Sequence, residues 1–155
     1  MAYTKEQIQQ MIIDSANSRG IDPAIALAIA SHESGFNPNA VNTANPNGTK
    51  DWGVMQLNDT TVQTIGVTNP LDPKQNIDAG VSLLAGLLNR YSGNVRNALW
   101  AYASGPGNVG PTKTPNSIAQ GFIDYVNSYT GGSVGASPPN PTRPRPRRKR
   151  PGGST

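Results

Sequence analysis

The 155-residue chain contains no cysteine, so neither a disulfide framework nor a thiolate nucleophile or metal ligand is open to it. It has one histidine, His32, which excludes a metal centre built from several imidazoles. No metal and no cofactor is expected. Glutamate is nearly as scarce, with Glu6 and Glu33 the only two. No apolar run approaches the ~20 residues of a membrane-spanning helix. The N-terminal MAYTKEQIQQ lacks the apolar stretch of a secretory signal peptide.

Basic residues are unevenly spread. Six of the 13 Lys and Arg lie between Arg143 and Arg150. Residues 1–142 hold the other seven and all nine acidic residues, a net charge near −2. The sequence pI of about 9.6 therefore describes an almost neutral body carrying a cationic tail.

The body reads as mainly α-helical. Residues 4–19 form an amphipathic pattern in which Ile8, Met11, Ile12 and Ser15 or Ala16 share a face; Thr4 is the cap and Gln7 stands at the capping-box spacing. Asp22 and Pro23 start a second helix, apolar almost all round and so expected to be buried, which runs to about Ser34. Residues 35–51 are an Asn-rich loop whose Asn47-Gly48 pair can close a small hairpin. Helical signals return at 59–65, at 73–91 behind an Asp72 cap, at 94–104 and at 115–130. The sum is about six helices and a polar loop or small hairpin region, with no convincing sheet. After Gly131 the chain turns to Pro, Gly and Arg, too poor in apolar surface to offset its ordering entropy. Residues 1–130 are thus the expected domain, and 131–155 an expected disordered basic tail.

Glu6 sits on the polar face of the first helix, where a solvated role suffices. Glu33 closes the apolar second helix just before the Gly35 turn. Apolar neighbours and the negative end of the helix dipole both disfavour an ionised carboxylate there. That suits a general acid; a carboxylate that only hydrogen-bonds the following loop is the alternative.

Three blocks carry a resemblance: Glu33-Ser34-Gly35-Phe36-Asn37-Pro38 with Ala40-Val41, Gly53-Val54-Met55-Gln56-Leu57, and Ala101-Tyr102 with Gly105-Pro106-Gly107. In this order, with LDPKQNIDAGVSLLAGLL between the last two, they resemble the soluble lytic transglycosylase family, related to goose-type lysozymes, over residues 6–129. The resemblance implies a lysozyme-like α+β fold and a peptidoglycan substrate. Glu33 matches the single catalytic acid, which protonates the bond between N-acetylmuramic acid and N-acetylglucosamine. It then takes a proton from the muramic 6-hydroxyl as a 1,6-anhydro ring closes. Met55 and Gln56 match residues lining the sugar cleft, Tyr102 the tyrosine near acid and saccharide, and Tyr125 a tyrosine common in the last helix. Two departures bear on subsite detail. Ala103-Ser104 stand where the family has Asn-Ala, and Asn42 stands where a Ser often lies near the substrate N-acetyl group.

Hydrolysis is the competing chemistry. A true muramidase of the inverting kind needs a second carboxylate to activate water; Asp51 is the first candidate and Asp59 the second, although a turn or hairpin role explains Asp51 better than catalysis does. A non-catalytic wall-binding module is a further alternative. His32 adjoins Glu33, but successive helical residues do not face one another. Trp100 reads as core, Trp52 as core or sugar platform, and Phe36 as an anchor for its loop. The tail's six charges within eight residues suit DNA, virion proteins or another polyanion, and its Pro-Arg alternation argues against a membrane helix. A wall substrate without an export signal points to a phage-encoded, virion-associated enzyme acting on the host wall or periplasm.

Overall fold

The computed structural model describes residues 2–132, so the reading of the tail as disordered falls almost wholly outside the described residues. The elements run α1 (Lys5–Ser18), α2 (Pro23–Ser34), β1 (Val41–Asn42), β2 (Asp51–Trp52), β3 (Leu57–Asn58), α3 (Asp59–Ile65), α4 (Pro73–Arg90), α5 (Val95–Ser104), a 3-10 turn (Pro106–Asn108) and α6 (Ser117–Tyr129).

Local chemistry sets the helix boundaries. Thr4 and Gln7 exchange side-chain and backbone hydrogen bonds in a full capping box at α1. Asp22 and Asp72 each accept a backbone N–H in front of a first-turn proline. Asn58, Asn94 and Asn116 cap α3, α5 and α6 in the same manner. Helix α2 packs against α1 and α6, α4 against α1 and α5, and α5 against α6. These contacts close a cycle around one core. Ile8 and Ile12 of α1, Ile29 of α2, Ile77 and Leu84 of α4, Leu99 of α5 and Phe122 of α6 fill it. Trp100 and Phe36 are both buried, as their sequence contexts suggest.

The sheet is the departure from the sequence reading. Three two-residue strands pair antiparallel in the order β1-β2-β3. Such strands are too short to leave an alternating pattern. Asn47-Gly48 does lie between β1 and β2, but within a long loop rather than as a two-residue turn. The register sets Asn42 and Asn58 directly opposite Asp51 on either side, and cross-strand neighbours on one face are close enough to bond.

Behind the sheet, the segment 53–57 is pressed against α4. Gly80 of α4 has no room for a side chain, since a Cβ there would lie 2.7 Å from the Met55 Cβ and Cγ. Gly53 adopts a φ of +73°, and a Cβ on it would meet Asn76 Nδ2 at 2.5 Å. Glycine at both positions is what lets this segment approach the helix.

Candidate active site

A cleft of about 720 Å³ opens between the sheet-and-loop region and helices α4 and α5. Glu33, Asp51, Gln56 and Tyr102 line it together, so four residues singled out in sequence, spread over 70 positions, converge on one space. Ala103 and Ser104, the departures from the family block, line it too.

Glu33 reaches the cleft because α2 stops abruptly behind it. Gly35 caps the helix in left-handed geometry, and Phe36 follows with φ +64°. A non-glycine residue tolerates that conformation only where its surroundings impose it. Here burial of the Phe36 ring in the core does so. Ser34 Oγ donates to the Val54 carbonyl at 2.8 Å, tying the helix end to the opposite segment. On that segment Gln56 also has positive φ, +50°. Its Nε2 holds the turn by donating to the carbonyls of Ala40 and Gly53.

The two cleft carboxylates are in different states of engagement. Asp51 accepts from three amides: Asn42 and Asn45 on Oδ2, and Asn58 on Oδ1, all at 3.0–3.1 Å. Glu33 accepts no hydrogen bond from any described residue; His32 Nδ1 lies 3.7 Å from its Oε1. Adjacency in the helix did not keep these two side chains apart. The His32 ring is also held by α6, 5.0 Å from Phe122 and 4.9 Å from Tyr125 between centroids.

Tyr102 donates its hydroxyl to the Met55 carbonyl at 2.9 Å and stacks on buried Phe122. Burial, with the charges of Glu33 and Asp51 nearby, pushes its phenol well above the ordinary range. It therefore stays a neutral hydrogen-bond donor beside the acid.

Other sequence candidates sit elsewhere. Met55 is fully buried against Gly80 and does not line the cleft; only its carbonyl serves the site, by fixing Tyr102. Asn42 is also outside the lining. Its side chain is committed to Asn45, Asp51 and the Ala44 N–H. Tyr125, on α6, is not among the residues lining the cleft and meets Ser31 of α2 hydroxyl to hydroxyl at 2.6 Å. Asp59 accepts from the Trp52 indole at 2.7 Å and from the Lys50 N–H at 2.9 Å, which hold its carboxyl below the usual carboxylate range. That pairing ties the start of α3 to β2, and neither Asp59 nor Trp52 lines the cleft.

Sequence reasoning missed Asn76. It is fully buried on α4, and its Nδ2 donates to the carbonyls of Trp52 at 2.7 Å and Pro70 at 2.9 Å. Its Oδ1 accepts the Met55 N–H at 2.8 Å. A single asparagine thus fastens the Gly53–Leu57 segment to the helix. The signal was a lone polar residue on the apolar face of the 73–91 pattern, one residue before Ile77.

Helices around a small antiparallel sheet, with a carboxylate at the end of a buried helix facing a long cleft, define a lysozyme-like domain. Residues 10–121 match the family model described as the transglycosylase SLT domain, and the chain belongs to that family. It is 40% identical over 113 residues to a transglycosylase of Enterobacteria phage PRD1, covering 73% of this chain and 40% of the relative. It is 29% identical over 142 residues to a membrane-bound lytic murein transglycosylase C of Yersinia enterocolitica, covering 80% of this chain and 38% of that one. The chain therefore spans about two fifths of the length of these two relatives. Among solved structures, the lytic transglycosylase Slt of Pseudomonas aeruginosa, an inactive mutant, matches with a TM-score of 0.60 at 22% identity, over 79% of this chain and 24% of that one. The 70 kDa soluble lytic transglycosylase of Escherichia coli matches at 0.53 and 23%, over 77% and 19%. Among the described residues no helix is long and apolar enough to cross a membrane.

Proposed function

We propose that this chain is a peptidoglycan lytic transglycosylase in which Glu33 is the single acid–base. The carrying observation is the contrast within the cleft: Glu33 is unengaged by hydrogen bonds, while both oxygens of Asp51 hold amide donors. Glu33 gives its proton to the glycosidic oxygen as the bond from muramic C1 breaks. The resulting carboxylate takes the proton of the 6-hydroxyl while that oxygen bonds to C1. The proton returns to Glu33, and neither water nor a second base is consumed. A hydrolytic muramidase would instead have to take the proton of water on Asp51, a carboxylate that already accepts three amide N–H groups.

Digestion of purified peptidoglycan followed by mass spectrometry of the fragments tests this. Anhydro ends, one water lighter than reducing ends, are expected. Reducing ends would transfer the reaction to hydrolysis with Asp51 as base, and an absence of fragments would leave a wall-binding module.

We also propose that the protein is phage-encoded and travels in the virion, with the basic tail holding it to DNA or an acidic particle surface. Similarity to a phage transglycosylase and the charge cluster at 143–150 support this. The full chain should be found in purified particles and be shed from them at high salt, and deletion of 137–155 should abolish its retention. Particles that hold the deleted form equally well would refute the tail's role.

A further inference from the structure

Asn47-Gly48 is the only Asn-Gly pair of the 155-residue chain. Both residues are exposed, and Asn47 lines the candidate cleft. They belong to a turn closed by the Gly48 N–H on the Asn45 carbonyl at 3.0 Å, with Pro46 in its second position. The Asn47 side chain folds back over the turn. Its Oδ1 accepts the Thr49 N–H at 3.1 Å and the Thr49 hydroxyl at 2.7 Å. Two donors on one oxygen polarise the side-chain carbonyl. They stand where negative charge gathers when a nucleophile adds to Cγ. The nucleophile is at hand in the backbone nitrogen of Gly48. A Cβ on Gly48 would meet nothing within 4 Å, so neither a side chain nor a neighbour shields that nitrogen. Asn47 Nδ2 donates to no described residue, since only its oxygen is engaged.

We propose that Asn47-Gly48 is a self-modification site through which the cleft wall changes chemically as the protein ages. The Gly48 nitrogen bonds to Asn47 Cγ while the Cγ–Nδ2 bond breaks. The Gly48 N–H proton passes through solvent to the departing nitrogen, which leaves as ammonia, and a succinimide ring remains. Water then opens the ring. Opening at Cγ gives aspartate. Opening at the Asn47 main-chain carbonyl gives isoaspartate, in which the backbone is longer by a methylene. Either product adds a carboxylate to the cleft, and isoaspartate also dismantles its wall. Thr49 Oγ1, now bonded to Asn47, accepts from Asn58 Nδ2 at 2.8 Å and Asn45 Nδ2 at 3.4 Å. Those two amides in turn hold Asp51. Asn45, Thr49, Asp51 and Asn58 all line the cleft with Asn47, so lengthening the turn moves a connected wall. A misplacement of about 1 Å costs up to about a hundredfold in rate. That effect on cleavage rests on the reading of the cleft as a glycan site; the ring chemistry does not.

The test holds the full-length protein in mildly alkaline buffer below its unfolding temperature and withdraws samples over time. Each sample is peptide-mapped by mass spectrometry with isoaspartyl methyltransferase labelling, and its rate of peptidoglycan cleavage is measured. The Asn47 peptide should convert before any other asparagine peptide, and cleavage should fall in step. The separated isoaspartyl form should be about tenfold slower than fresh protein. Asn47→Gln, whose longer side chain would have to close a larger ring, should keep its own starting rate throughout. An Asn47 peptide that stays unmodified would overturn the proposal while leaving the glycan reading intact. So would an isoaspartyl form that cleaves at the parental rate, or an Asn47→Gln variant that loses activity as fast as the parent. Fresh protein that cleaves no peptidoglycan would remove the glycan reading and the expected slowing with it, whereas the peptide map would still decide the modification.

Discussion

Glu33→Gln should lower the rate of glycan cleavage about 10²–10⁴-fold, the usual worth of a positioned general acid, or ~3–5 kcal/mol of activation free energy. The amide has the size and shape of the acid but no proton to give, and as it cannot become a base, ring closure suffers as well. Folding should be nearly unaffected, because Glu33 accepts no hydrogen bond from a described residue; a surface change of this kind is usually within ~0.5 kcal/mol. The measurement pairs release of soluble muropeptides with thermal unfolding. A folded variant that cleaves at the parental rate would remove Glu33 from the mechanism. Asp51→Asn makes the converse case. Replacing an acceptor by an amide sets donor against donor within the Asn42, Asn45 and Asn58 cluster, so the loop should lose stability while the products keep anhydro ends.

Much of the site could be read before the structure because its parts are chemically marked in the chain. Capping residues and first-turn prolines fix where α2 and α4 begin, and the Gly35 stop fixes where Glu33 emerges. Gln56 and Tyr102 needed only their place in recognisable blocks. What escaped was whatever depends on a partner distant in sequence. Asn42 is a candidate substrate ligand only by its place, where the family often has a Ser, and that place shows nothing of what its amide must bond. Its obligation is Asp51, placed opposite by a strand register two residues long. Met55 has the right neighbours in sequence, but its side-chain direction is set by the missing Cβ of Gly80 on another element. Likewise nothing in the sequence paired Trp52 with Asp59, which the antiparallel turn from β2 into β3 and on to α3 brings to 2.7 Å. Periodicity reports which face of an element is buried; it says nothing about which buried polar groups satisfy one another.

Asn76 shows how large such an unseen obligation is. Its amide orientation is dictated by its partners, since two carbonyls require the NH₂ group and the Met55 N–H requires the oxygen. Asn76→Ala would strand all three backbone groups in or beside the core, at ~1–3 kcal/mol for each left unsatisfied. Water entering the space would recover part, so a net loss of about 3 kcal/mol is expected, or roughly 6–12 °C in Tm for a domain of this size. Asn76→Asp keeps the acceptor for Met55 but turns oxygen toward the carbonyls of Trp52 and Pro70, so it should be no more stable than the alanine variant despite its matching shape. Denaturant unfolding of the two variants decides the matter. A loss below about 1 kcal/mol in either would mean that the Gly53–Leu57 segment is held by apolar packing alone. The same substitution should slow cleavage at temperatures where the fold persists. The Met55 carbonyl that receives the Tyr102 hydroxyl belongs to the segment Asn76 secures. Loosening that segment frees Tyr102 beside Glu33, so stability and catalysis should fall together.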